Sequence, residues 1–136
     1  MAQSNCLKLL DALIENDYKV SMETSGSIDI APVNSKVSIV MDIKTPSSTE
    51  EHQNRYENLL ILKNKDQLKF VIASRLDFDW CTKILENHEV ESEVLFSPVY
   101  ESLKPVELAD WILEKKLNVR LQVQLHKILW GDQKGK

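Results

Sequence analysis

Residues 36–48 read KVSIVMDIKTPSS. Six of the seven positions from Val37 to Ile43 suit a buried strand, with Ser38 the tolerable one. The apolar residues Val37, Ile39, Val40, Met41 and Ile43 do not alternate with polar ones, which is the pattern of a strand covered on both faces, as in a parallel sheet. Yet the stretch ends on Asp42, Lys44, Thr45 and Pro46. An acid two residues before a base lies on the same face of a strand. A buried, unpaired carboxylate is costly, so Asp42 either pairs with Lys44 or serves a site.

On the amino-terminal side, residues 4–20 (SNCLKLLDALIENDYKV) open with the cap-type residues Ser4 and Asn5, and Cys6, Leu9, Leu10, Leu13 and Ile14 recur at helical spacing. Val20 and Met22 then alternate with Ser21 and Glu23, a short strand that runs into a Thr24-Ser25-Gly26 loop. On the carboxyl-terminal side, residues 48–64 (STEEHQNRYENLLILKN) predict a helix, with Ser48 or Thr49 as cap and Glu50 and Glu51 in its first turn. DQLKFVIAS (66–74) predicts a strand and RLDFDWCTKILENHEV (75–90) a helix with Phe78, Cys81, Ile84 and Leu85 on one face. SEVLFSPVY (92–100) predicts a strand, and KPVELADWILEKKLN (104–118) a helix with Pro105 in its first turn. The alternation in VRLQVQLHKIL (119–129) predicts a last strand. Repeated strand–helix alternation gives one α/β domain over residues 1–136: a parallel sheet of about five strands, with helices packed on one side. Leu10, Leu13, Leu59, Ile61, Ile84 and Ile112 belong to its buried stripes.

The totals narrow the function. A net charge of −4 and a pI near 5.4 exclude a generic electrostatic binder of nucleic acid. Cys6 and Cys81 stand far apart with no CxxC, which removes a disulfide framework and a cysteine-based zinc site. The first residues lack the basic and apolar regions of a signal peptide, and no apolar run approaches a membrane span, so a cytoplasmic location is expected. There is no Gly-rich phosphate loop, no paired-histidine metal motif and no Ser-His-Asp order.

In parallel α/β sheets ligands sit at the carboxyl ends of the strands. The residues expected there are Glu23 to Gly26, Asp42, Lys44 and Thr45, then Ser74 and Arg75, then Ser97, Pro98 and Tyr100, and finally His126 and Lys127. Such a ring of hydroxyls and cations suits a small polar molecule bearing a carboxylate or phosphate. Each has a plainer reading: Ser25-Gly26 as a turn, Lys44 as a solvated lysine, His126 as a structural histidine, His52 and His88 as surface residues.

Several stretches in order, VSMETSGSIDI, VSIVMDIKTPSS, NRYENLLILKNKDQLKFVIASRLDFDW, VLFSPVY and LADWILEKKLNVRLQVQLHKILWG, resemble the carboxyl-terminal portion of the 7-carboxy-7-deazaguanine synthases. These are radical S-adenosylmethionine enzymes of the queuosine, or 7-deazapurine, pathway. The resemblance implies the carboxyl-terminal part of a partial TIM-type barrel, and a homodimer. It implies ring contraction of 6-carboxy-5,6,7,8-tetrahydropterin with release of ammonia, using S-adenosylmethionine, a [4Fe-4S] cluster and magnesium. By resemblance Ser25, Asp42 and Lys44 contact S-adenosylmethionine. Lys44 matches the lysine of a segment often written Ser-Pro-Lys, from which Asp42 and Ile43 depart. Ser97, Pro98 and His126 fall where the family lines its pocket. The three clustered cysteines, the Gly-Gly-Glu-Pro segment and the magnesium ligands of the family are absent from this sequence. The expectation is therefore a truncated product that ligates no metal itself, whether through a mis-called start, an interrupted gene or an engineered fragment. The alternative is a non-catalytic α/β binding or scaffold domain derived from that enzyme.

Overall fold

The computed structural model describes residues 5–131, 133 and 135; the proposed cap Ser4 lies outside them. Five strands run in the order β1-β2-β3-β4-β5, and every neighbouring pair is parallel. They are β1 (Ser21–Thr24), β2 (Ser38–Ile43), β3 (Gln67–Ile72), β4 (Glu93–Pro98) and β5 (Arg120–Leu121). The helices are α1 (Cys6–Glu15), α2 (Arg75–Asn87), α3 (Pro105–Lys115) and α4 (Leu125–Trp130).

The order decides where the helices go. Right-handed crossovers that always step the same way across a sheet leave all connections on one face. The apolar cluster lies under that face: Met22, Ile39, Met41, Ile43, Leu68, Phe70, Ile72 and Phe96 from the strands, with Phe78, Cys81, Leu108 and Ile112 from α2 and α3. Phe78 meets Phe96 edge-on at 5.9 Å and Trp111 at 5.4 Å. The other face carries Glu23, Val40, Asp42, Gln67, Lys69 and Val71 on β1 to β3, none of them fully buried, and Leu95 and Ser97 on β4, each 1% exposed. The expectation that β2 is covered on both faces is thus corrected. Its inward and outward residues alternate strictly in burial, and the break in hydropathic alternation comes from Val40 alone on the open side. Leu10, Leu59 and Ile112 are buried, while Leu13, Ile61 and Ile84 are partly so.

Two elements differ from the sequence reading. Residues 48–64 form no α-helix. Three short 3-10 turns, Pro46–Ser48, Glu51–Gln53 and Tyr56–Leu60, carry the chain from β2 to β3. Side chains compete here for backbone groups that a helix would use: Asn54 bonds Lys44, and Asn58 bonds the chain after β1. The last strand is also short. Gln122 N donates to Phe96 O at 2.9 Å, which turns the backbone groups of Phe96, and hence of Pro98, toward β5. Pro98 has no N–H to offer, so the ladder stops and Leu125–Trp130 coil into α4. His126 and Lys127 therefore lie on a helix, not on a strand.

Candidate functional site at the strand ends

The open face and the carboxyl ends of β1 to β4 meet at one ion pair. Lys44 Nζ lies 2.9 Å from Asp42 Oδ2, with the two side chains 33% and 28% exposed. Both point off β2 toward the open face, where Asp42 is in register with Lys69 of β3. The pair stands between two hollows. One, of about 460 Å³, is walled by Asp42, Lys44, Thr45, Ser47, Val71 and Ser102. The other, of about 240 Å³, is walled by Glu23, Ser25, Asp42, Lys44 and Lys69. The first lies in the size range of small-molecule sites.

Among the described residues, buried side-chain oxygens without a hydrogen-bond partner include Asp42 Oδ1, whose residue lines both hollows, and Glu51 Oε2, Ser92 Oγ and Ser97 Oγ, whose residues line neither. Ser97 is 1% exposed and in register with Val71, which lines the larger hollow. A buried acceptor left unpaired costs roughly 1–3 kcal/mol, which leaves Asp42 Oδ1, beside the hollows, open to a ligand donor. The loop chemistry that frames the hollows is fully used, by contrast. Thr45 Oγ1 donates to Val71 O at 3.0 Å. Asp77, buried at the start of α2, accepts from Ser47 N at 3.0 Å and from Ala73 N at 2.9 Å. Ser74 caps α2 by accepting from Asp77 N.

Of the residues singled out in the sequence, Ser25, Asp42 and Lys44 come together around the smaller hollow. Ser25 is exposed, its hydroxyl 3.0 Å from that of Ser27. Pro98 instead lines a third cleft, of about 670 Å³, with Tyr100, Gln124 and Lys127. There Lys127 Nζ sits 5.7 Å from the centre of the Tyr100 ring. His126 is exposed on α4 and walls none of these three hollows. Lys69 and Asn54 were not singled out. Lys69 was legible as the one base set inside the apolar alternation of β3; Asn54 and Asn58 were legible as two poor helix formers four apart in an assumed helix.

Lys44, the unpaired Asp42 Oδ1 and the Ser25 and Ser27 hydroxyls suit an amino-acid carboxylate and ammonium. The residues present do not fit an iron–sulfur cluster. Cys6 is half-buried on α1 and Cys81 is buried in α2. Burial pushes the Cys81 thiol far above its ordinary range, and the Asp77 carboxylate adds to the shift. Among the described residues no group of three or more His, Cys, Asp or Glu side chains is placed to hold a metal ion. No helix among them is long and apolar enough to cross a membrane.

Comparison with known sequences gives a consistent answer over nearly the whole chain. It is 34% identical to a 7-carboxy-7-deazaguanine synthase of Koribacter versatilis over 145 residues, which cover 96% of this chain and 64% of that protein. The enzyme of the same name from Chlorobaculum tepidum is 34% identical, covering 99% of this chain and 64% of its own. That from Leptospira interrogans is 38% identical, over 84% and 50%. The chain is a relative of the 7-carboxy-7-deazaguanine synthases. The resemblance read from the sequence is thereby upheld, and no protein-family model matches. The chain spans 50–64% of the length of these three synthases.

Proposed function

We propose that this chain is the carboxyl-terminal portion of a 7-carboxy-7-deazaguanine synthase and supplies one wall of its S-adenosylmethionine and pterin site. The observation that carries the reading is the open sheet face. The sheet face opposite the core packed by α2 and α3 is polar at the ends of β1 and β2, where Lys44, Asp42 and Ser25 stand around two hollows that share Asp42 and Lys44. The similarity to the synthases spans those same strands.

In this reading Lys44 donates a charge-assisted hydrogen bond to the methionine carboxylate. In this arrangement the bond replaces the Asp42–Lys44 pair, although the three N–H donors of the ammonium do not require it. A pair about one-third exposed is worth about 0–1 kcal/mol, whereas a hydrogen bond to a charged group contributes about 1.5–3 kcal/mol, so the exchange favours the ligand. Asp42, freed on both oxygens, accepts from the methionine ammonium, and Ser25 orients the ligand from the β1 side. S-adenosylmethionine, when bound, supplies the radical chemistry of the family, which contracts the ring of 6-carboxy-5,6,7,8-tetrahydropterin in queuosine biosynthesis. The cluster and magnesium that this chemistry requires find no ligand set among the described residues.

The test is calorimetric titration of the chain with S-adenosylmethionine. Lys44→Met is expected to weaken binding by about one to two decades, and Lys127→Ala to change it little. Equal affinities for the parent and Lys44→Met would overturn the assignment.

A further inference from the structure

The backbone N–H and C=O of a strand residue point to one neighbour, and those of the next residue to the other. Ser38 N donates across to Val20 O, just before β1, at 2.9 Å. Lys44, six residues on, therefore aims its N–H and C=O toward the β1 side. There β1 has already ended at Thr24. Asn54 takes the vacant place. Its Oδ1 accepts from Lys44 N at 2.9 Å and its Nδ2 donates to Lys44 O at 2.8 Å. Only an amide side chain offers the planar donor-and-acceptor pair that imitates a neighbouring strand. Asp66, on the same crossover, and Asp77, on α2, are carboxylates, which only accept.

The residues after Asn54 treat the end of β1 the same way. Arg55 N donates to Gly26 O at 3.2 Å. Asn58 Nδ2 donates to Gly26 O at 3.0 Å and to Ile28 O at 2.9 Å, and its Oδ1 accepts from Ile30 N at 3.3 Å. Gly26 is held at φ +72, where a Cβ would come 3.3 Å from Met41 Cγ. One short segment thus ties both strand ends that bear the proposed ligand groups.

We propose that Asn54 is a positioning residue: it fixes the backbone of Lys44 and, through Arg55 and Asn58, locks it to the Gly26 turn, so that Ser25, Asp42 and Lys44 face a carboxylate-bearing ligand as one unit. The ligand part rests on the function proposed above; the locking of the two strand ends does not. A plain loop anchor would need only one bond to any nearby backbone group. Asn54 satisfies both groups of the single residue whose ammonium is at issue.

Two measurements on the full chain test this. In hydrogen exchange, Asn54→Ala is expected to speed the Lys44 amide about tenfold or more and to speed amides in residues 26–30 as well, leaving the Ile39 amide, held by Asp66, unchanged. In titration with S-adenosylmethionine, Asn54→Ala is expected to lower affinity about two- to tenfold. Asn34→Ala, which removes an exposed bond to Asp11 at the opposite end of the sheet, is expected to leave affinity alone. An unchanged Lys44 amide, or residues 26–30 as protected as in the parent, overturns the lock whatever the ligand does. Affinity unchanged in Asn54→Ala but weakened in Lys44→Met overturns the positioning role. If the parent gives no binding heat, or Lys44→Met binds as the parent does, the proposed function fails instead, and the exchange result still decides the lock.

Discussion

The crossover after β3 and the crossover after β2 solve the same problem by different physics. From β3 the chain enters α2, a capped amphipathic helix whose Phe78 and Cys81 are fully buried against the sheet. From β2 it passes through three 3-10 turns whose anchors are polar: Asn54, Asn58 and Asp66 within the crossover, and Asp77, which reaches Ser47 from α2. Apolar burial is non-directional and tolerates small shifts. Hydrogen bonds to named backbone groups fix position and orientation instead. The helical crossover supplies core; the turn crossover sets where the strand ends point, and it is the one beside the candidate site.

Substitutions can break this contrast, beginning with the helical side. Phe78→Ala removes a fully buried ring between Phe96 and Trp111 and is expected to cost about 3–5 kcal/mol in urea unfolding. A loss below about 1 kcal/mol would mean that α2 contributes little core. On the turn side, Asn58→Ala is expected to cost about 1–3 kcal/mol, because it strands the buried Ile30 N–H and the part-buried Ile28 carbonyl, while Gly26 O keeps its bond from Arg55 N. A neutral Asn58→Ala would show that water replaces those bonds and that the turns do not depend on them.

The same contrast explains what the sequence disclosed. Strand β2 was legible from Val37 to Ile43 because apolar burial leaves a periodic mark, and so were Phe78 and Cys81 on α2. Residues 48–64 were misread because Leu59 and Leu62 recur at helical spacing, while Leu60, between them, is 70% exposed. What decides that segment is where the amides of Asn54 and Asn58 find backbone partners, and those partners lie ten to thirty-two residues away. Pro98 was read as a pocket residue, yet its missing N–H also ends the ladder to β5. Asp42 and Lys44 were legible as a pair because two residues apart on a strand means one face; Lys69 and Asn54 reach the site through neighbouring elements, which one strand's periodicity cannot show.

Asp66 sharpens the comparison through pH. Its carboxyl is 3% exposed and accepts from Ile39 N, Lys63 N and Lys65 Nζ. Burial alone raises its pKa, but those hydrogen bonds and the charge of Lys65 together hold it below the ordinary 3.8. A carboxyl held lower in the folded than in the unfolded chain stabilises the fold above the unfolded value and loses that contribution as pH falls through the folded one. Urea midpoints are therefore expected to stay level from neutral pH down to about 4 and to fall below it. Asp66→Asn is expected to remove this part of the fall and to be less stable at neutral pH. A fall of the same steepness in Asp66→Asn would assign the acid sensitivity to other carboxylates.

The smallest expected effect has the opposite sign. Ser97 is 1% exposed, and its hydroxyl has no hydrogen-bond partner among the described residues. Replacing it with alanine keeps the Cβ and its packing and removes one buried oxygen whose desolvation nothing repays. Ser97→Ala is expected to leave stability unchanged or raise it by up to about 1 kcal/mol. Every anchor of the turn crossover behaves the other way, because its polar atoms are satisfied within the fold. Urea unfolding of Ser97→Ala checks the sign. A loss of more than about 1 kcal/mol would mean that the hydroxyl has a partner in solution, most simply a buried water, and that Ser97 belongs with the satisfied anchors rather than with Asp42 and Lys44.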